Sequence, residues 1–354
     1  MRWKAGFEIE LLAPRGRSRR DLAEALAGKA GGSVRRILYP QSEPSLLEDT
    51  PVFENLILGF DALDARGEPI ARCVDDLTIR RDLDRNSPPI DGWYRILSDD
   101  IRLLRLAMKH CDPDADVTTV LEPMAALFDA ELSIEGGDIV RLADRYSTPI
   151  ALATGLPGER ERPCEIVTPP YDSDHEAALE RLLSVARELD FTVPAEAAVH
   201  VHFDATRLRD SAAVARLVET IGLHGKAFRR LMDANPNCLR MARNPKWLFR
   251  TVAERGFAET PWEEARERLR DRGLSKFVDF NFLNMVYDIP GKSTFELRIL
   301  PGAISAAPIL KRAEFFEALL NWCIEAPRTE RPERKLARFI AQVDPPEKAF
   351  WLSQ

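Results

Sequence analysis

Two histidines at a two-residue spacing, and four glutamates spread over three other short segments, are the side chains in this sequence best suited to hold a cation or a phosphate. The segments are GFEIEL (6–11), CEIVTPP (164–170), AVHVHFDA (198–205) and STFELRILPG (293–302). Each alternates with a period of two, and alternate side chains on a strand point to opposite faces. Glu8 and Glu10 then share one face, against Phe7, Ile9 and Leu11 on the other. His200, His202 and Asp204 oppose Val199, Val201 and Phe203. Glu296 and Arg298 oppose Phe295, Leu297 and Ile299, and Glu165 shares a face with Val167.

Taken one at a time, these are ordinary half-exposed strands with an apolar and a solvated face. Their polar faces, however, carry carboxylate, imidazole and guanidinium, with no lysine. Two of the chain's five histidines sit on one strand face. If the strands are neighbours, four glutamates crowd one surface, and packed carboxylates take up protons unless a cation lies between them. Oxygen-rich ligands with one or two imidazoles suit Mg²⁺ or Mn²⁺ better than zinc. Residues 8, 165, 200 and 296 are distant in the chain, so spacing alone does not bring them together.

The elements that would position these residues are clearest in the second half. Ser173 with Glu176 forms a capping-box pattern ahead of EAALERLLSVARELDF. A helix over roughly 211–233 carries Val214, Leu217, Val218 and Ile221 on one face. Thr260, Pro261 and Glu263 start another, running to Asp271, and residues 309–324 form a further one. Earlier in the chain, Asp21–Lys29 and Asp99–His110 are helix candidates, and Val52–Asp61 and Glu68–Ile79 are strand candidates.

Composition bounds the partners. The chain has 354 residues, 45% apolar, with a formal net charge of −7 and mixed signs along its length. That supports a sizeable core and argues against a dedicated nucleic-acid surface. The five cysteines are scattered without a CxxC pair, which points to a reducing cytoplasm rather than a disulfide framework. The N-terminal apolar stretch is short and contains two glutamates, unlike a signal peptide. No run reaches the ~18 apolar residues a membrane span needs. Oligomeric state is open.

GFEIE, CEIVTPP, HVHFDA and TFELRILPG, in this order, resemble the amidoligase family of carboxylate–amine ligases, grouped with the glutamine synthetases and glutamate–cysteine ligases. KFVDFNFLN (276–284) resembles that family's Asn-containing strand. The resemblance is close over 160–305 and thin between 12 and 160. It implies an α+β fold: a glutamine-synthetase-like curved antiparallel sheet, a partial barrel, with helices on its outer face. It implies one catalytic domain over 1–325, a possible insertion within 12–160, and a C-terminal extension over 326–354. Carried over by motif, Glu8, Glu10, Glu165, His200 and Glu296 would hold two or three Mg²⁺ (or Mn²⁺) ions. His202 and Arg298 would contact ATP phosphate or acyl phosphate as catalytic and nucleotide-binding groups. Asn281 and Arg243 are further contacts to nucleotide or substrate, and equally well a strand-end hydrogen bond and a helix-end surface charge.

The reaction this implies is ATP-dependent joining of a small-molecule or peptide carboxylate to an amine or ammonia through an acyl phosphate. Phosphoryl transfer needs positioning and charge neutralisation more than a protein nucleophile. Metal ions clamp the transferring oxygens, and a planar guanidinium matches phosphate. No G-x-x-x-x-G-K-[ST] loop occurs, which excludes a P-loop site. Asp204 lies on the right face for a proton acceptor, without further support. His110, His175 and His224 fall on helices or helix starts and read as structural. Two alternatives remain: a metal-dependent hydrolase or other phosphoryl-transfer enzyme on the same residues, and a non-catalytic peptide-binding member.

Overall fold

The structure, a computed structural model, describes residues 1–44, 52–136, 139–238 and 242–354. In chain order the elements begin with β1 (Ala5–Leu12), α1 (Arg19–Lys29), β2 (Val34–Pro44), β3 (Val52–Leu63), β4 (Pro69–Val74), β5 (Tyr94–Leu97), α2 (Ile101–His110) and α3 (Glu122–Phe128). Next come β6 (Glu131–Glu135), β7 (Ile139–Ala143), β8 (Pro149–Gly155), β9 (Pro163–Val167), α4 (His175–Glu188), β10 (Ala198–Asp204), α5 (Ser211–Leu231), α6 (Lys246–Val252) and α7 (Trp262–Arg270). The last are β11 (Phe280–Asn281), α8 (Leu283–Val286), β12 (Thr294–Pro301), α9 (Ala306–Glu325), α10 (Leu336–Val343) and α11 (Lys348–Ser353). The fold is α+β, as the sequence implies, with antiparallel strand pairing and a sheet that does not close among the described residues. The chain divides into two compact units. One comprises Met1–Ile9, Pro170–Leu183 and Ala197–Gln354, the other Glu10–Pro169 and Ser184–Glu196.

In the first unit the strand order is β11-β12-β10-β1. The alternation read from the sequence is borne out. Phe7, Val199, Val201, Phe203, Phe295, Leu297 and Ile299 are all buried to within 1%. Each such side chain stabilises the fold by about 1.5–3 kcal/mol. Behind the strands, Phe280 of β11 packs at 6.4 Å from Phe228 of α5 and 6.0 Å from Phe316 of α9. Phe228 also meets Phe339 of α10, and Phe315 meets Trp351 of α11. Residues 326–354 are thus tied into the aromatic core of this unit.

The pairing of β10 with β12 contains a bulge. Val199 lies opposite Leu300 and Val201 opposite Leu297, so Arg298 and Ile299 together face His200. Such an extra residue bends the strand and re-aims a side chain.

The second unit builds on the order β9-β4-β3-β5-β8-β7-β6, with β2 along β3. Its core gathers Leu56, Leu58, Tyr94, Ile96, Val140 and Leu142 under α2 and α3. Arg19 of α1 is fully buried, donating to the Leu58 carbonyl at 3.0 and 2.9 Å, and sits 4.6 Å above the Trp93 ring. Buried guanidinium is tolerated there because its N–H groups have acceptors.

Several boundaries differ from expectation by a few residues, and three of them have a local cause. The strand expected over Glu68–Ile79 stops at Val74. Beyond it the Asp76 carboxylate accepts the Thr78 N–H and hydroxyl, an Asx turn that competes with the ladder. Helix α7 begins at Trp262 behind Pro261, because the Thr260 hydroxyl donates back to the Gly256 carbonyl instead of capping forward. Helix α4 begins at His175, where the Asp174 carbonyl accepts the first helical N–H, from Ala178.

Candidate cation and phosphate site

The first unit brings together side chains from four neighbouring strands. Antiparallel register sets Glu8 of β1 opposite His200 of β10, and Gly6 opposite His202. On the other side, His202 lies opposite Glu296 of β12, which is opposite Asn281 of β11. Directly opposed residues share a face. The result is a row of carboxylate, imidazole, carboxylate and amide across adjacent strands.

The contacts are short. His200 Nδ1 lies 2.9 Å from Glu8 Oε2, and His202 Nε2 lies 3.1 Å from Glu8 Oε1. The second is a charge contact without hydrogen-bond alignment. Glu296 Oε1 is 3.8 Å from His200 Nδ1 and 3.7 Å from His202 Nε2. Arg298 donates to Glu296 Oε1, and Asn281 Nδ2 donates to Oε2 at 2.6 Å. His202 Nδ1 is 3.2 Å from the Thr294 hydroxyl, which also receives Asn284 Nδ2 at 3.2 Å. Asn281 Oδ1 in turn accepts the Leu283 N–H at 2.8 Å, fixing the amide's orientation at the start of α8.

Burial sharpens the electrostatics. Glu296 is 4% exposed, His200 4% and Arg298 9%. Burial favours the neutral acid at Glu8, but the charge on His202 and the hydrogen bond from His200 hold its carboxyl well below the usual range. At Glu296 burial is likewise overcome, by Arg298 and then His202. Burial also opposes a charged His202, yet Glu8 and Glu296 raise it to about 9. His200 goes the other way, lowered by burial and by Arg298. Two adjacent imidazoles therefore carry different charges at neutral pH, one protonated and one neutral.

One ligand atom each from Glu8, His202 and Glu296 lies within 4.8 Å of the others, a spacing that could surround a metal ion. A ligating imidazole must be neutral, so a cation entering this group displaces the His202 proton and takes over its charge. The donor set of two carboxylates and one imidazole fits Mg²⁺ or Mn²⁺.

Sequence reasoning gave His202 to phosphate and His200 to metal. The structure groups His202 with the two carboxylates and sets His200 beside Glu8. Glu10 and Glu165 belong to the second unit. Glu10 is 2% exposed, and Glu165 is half-buried on β9 opposite Val74 of β4. Asp204 caps the turn after β10, accepting the Thr206 N–H at 2.8 Å, and Arg243 is exposed. His175 and His224 are structural, each with a ring nitrogen on a backbone carbonyl: Trp3 at 3.0 Å and Glu333 at 2.8 Å. Asn284 and Thr294 were not singled out from sequence. Thr294 lies two residues before Glu296 on the same strand face, and that spacing was the available signal.

No helix among the described residues is long and apolar enough to cross a membrane. Comparison with curated proteins and with solved structures gave no match. A family model described as “Putative amidoligase enzyme” matches residues 1–320, and the chain belongs to that amidoligase family.

Proposed function

We propose that this chain is an ATP- and Mg²⁺-dependent (or Mn²⁺-dependent) ligase that joins a substrate carboxylate to an amine or ammonia through an acyl phosphate. Family membership supports ligase chemistry. The observation that carries the cation and nucleotide part is the convergence of Glu8, His202 and Glu296, with Arg298 bonded to Glu296. Bound divalent cations would neutralise phosphate charge and clamp the transferring oxygens. Glu8, His202 and Glu296 would hold one such ion, with His200 bonded to Glu8. Arg298 offers a fixed guanidinium for a phosphate oxygen. Asn281 orients Glu296.

The fold this reading calls for is glutamine-synthetase-like, and the antiparallel order β11-β12-β10-β1 supports it. The five cysteines are buried and form no disulfide among the described residues, which supports a reducing, cytoplasmic setting. The substrates are small carboxylates or peptides and small amines, with neither nucleic acid nor membrane as partner.

The test is nucleotide binding and turnover. Mg·ATP should bind, and ADP should be released only when carboxylate and amine are both supplied. Glu8→Gln and Glu296→Gln should each abolish the Mg²⁺ dependence of nucleotide binding, and Glu10→Gln and Glu165→Gln test the remaining two carboxylates. Nucleotide binding that ignores Mg²⁺ and survives both Glu8→Gln and Glu296→Gln would refute the reading. Hydrolysis with zinc and without nucleotide would replace it with a metal-dependent hydrolase.

A further inference from the structure

The two ring nitrogens of His202 meet different surroundings. Nε2 faces the carboxylates, 3.1 Å from Glu8 Oε1 and 3.7 Å from Glu296 Oε1, and is buried without a hydrogen-bond partner. Nδ1 lies 3.2 Å from the Thr294 hydroxyl. A cation held between the carboxylates would take the Nε2 lone pair, and the one proton left on the ring would then sit on Nδ1. That proton needs an acceptor, and Thr294 Oγ1 is within reach of it.

Thr294 serves as an acceptor only if its oxygen stays in place. A hydroxyl oxygen has two lone pairs. Asn284 Nδ2 donates to one of them at 3.2 Å, which leaves the other for His202. Asn284 is itself seated on α8. The Leu283 N–H before it is held by Asn281 Oδ1 at 2.8 Å, and the Asn284 carbonyl accepts the Ile289 N–H at 3.1 Å. Asp204, opposite Thr294 in the register, accepts the Thr206 N–H instead.

The run Asn281-Phe282-Leu283-Asn284 is also pinned to β12 by an aromatic contact. Phe282 is buried to 1%, and its ring lies 5.1 Å from that of Phe295, the residue between Thr294 and Glu296. Asn281 donates to Glu296 on one side of that contact, and Asn284 donates to Thr294 on the other. Tying α8 to β12 would need no imidazole, yet the second of these bonds ends on one.

We infer that Thr294 and Asn284 are positioning residues for His202: Thr294 Oγ1, seated by Asn284, accepts the Nδ1 proton and turns Nε2 toward Glu8 and Glu296. The inference rests on the cation reading proposed above. One four-residue run thereby orients two of the three candidate ligands, Glu296 directly and His202 through Thr294. A ring fixed at its outer nitrogen keeps both its plane and its tautomer, and losing such a partner costs about 10–100-fold in metal affinity.

Two measurements on the full chain test it. In the metal-free protein at pH 7, with isotopically labelled histidine, the Nδ1–H of His202 should give a magnetic-resonance signal protected from solvent exchange, assigned by its absence in His202→Gln. Thr294→Val removes the hydroxyl but keeps the branched shape, and should lose that protection. Thr294→Ser should retain it. Titration with Mn²⁺ by electron paramagnetic resonance should show affinity about tenfold weaker or more in Thr294→Val, about threefold weaker or more in Asn284→Ala, and close to the parent's in Thr294→Ser. Asn284→Ala, altered outside the strand, keeps the test standing should Thr294→Val not fold. A parent that binds no Mn²⁺ refutes the cation reading. A parent that binds it while Thr294→Val and Asn284→Ala bind as tightly refutes this inference alone, as does an Nδ1–H signal that Thr294→Val leaves unchanged.

Discussion

Replacing Asn281 with alanine asks whether Glu296 is held in place for a ligand. Asn281 makes two bonds: Nδ2 to Glu296 Oε2 at 2.6 Å, and Oδ1 from the Leu283 N–H at 2.8 Å. Asn281 is 2% exposed and Glu296 4%, so water cannot replace the lost donor in place. A hydrogen bond to a charged group contributes about 1.5–3 kcal/mol. An acceptor at a helix start adds about 0.5–2 kcal/mol. Asn281→Ala should therefore lower the unfolding free energy by at least ~1.5 kcal/mol, read by urea denaturation at pH 7. With its amide gone, Glu296 keeps only the Arg298 donor, and removing such an orienting partner costs about 10–100-fold in metal affinity. Titration with Mn²⁺ by electron paramagnetic resonance measures that loss. Asn281→Asp keeps the acceptor for Leu283 and puts a second carboxylate beside Glu296, so its stability should rise more on adding Mn²⁺ than that of Asn281→Ala. A folded Asn281→Ala protein that binds Mn²⁺ like the parent would refute the reasoning, because Glu296 would then need no amide to orient it.

Three further outcomes concern stability. Burial lowers the pKa of His224, only partly opposed by its bond to the Glu333 carbonyl. Its contribution is complete above the ordinary value near 6.5 and falls as pH drops through the lowered folded-state value. His224→Gln should flatten the stability difference between pH 7.5 and pH 5 in urea unfolding. Asp61 is 1% exposed, and Arg72 and Arg35 overcome burial to lower its pKa. Its contribution is full above the ordinary ~3.9 and is lost as pH falls through the lowered value. Asp61→Asn should cost about 1.5–3 kcal/mol at pH 7, and equal stability of the two proteins there would contradict the ion-pair account. Gly32→Ala would place a Cβ 2.0 Å from the Leu63 carbonyl oxygen and 2.5 Å from the Asp64 carbonyl carbon. Backbone cannot yield as a side-chain tip does, so a loss of about 4 kcal/mol or more is expected, visible as a lower thermal midpoint.

The strands of the first unit were legible because their apolar faces are buried and the period of two survives in the residue types. Phe7, Val201 and Leu297 announce which way Glu8, His202 and Glu296 point. What the sequence could not supply was neighbourhood. Glu8 meets His200 and Glu296 meets His202 only through register between segments far apart in the chain. Nor does alternation say how deeply a polar face is covered, and Glu10 and Glu296 are buried where a half-exposed strand would leave them wet. The second unit was harder to read. β5 to β8 are four to seven residues long, too short for periodicity to stand out, and they went unmarked. Helix ends shifted where a local side-chain bond competed with the cap, as Thr260 shows.

The bulge on β12 has a consequence for insertions and deletions. Register is intact on both sides of it, with Leu297 opposite Val201 and Leu300 opposite Val199. Excising Ile299 would therefore leave both flanking alignments as they are, and Glu296 would still meet His202. Only Arg298 would change, standing alone against His200 in a straight strand. A one-codon deletion at this point would act as the rotation of a single guanidinium, leaving the carboxylates and imidazoles where they were.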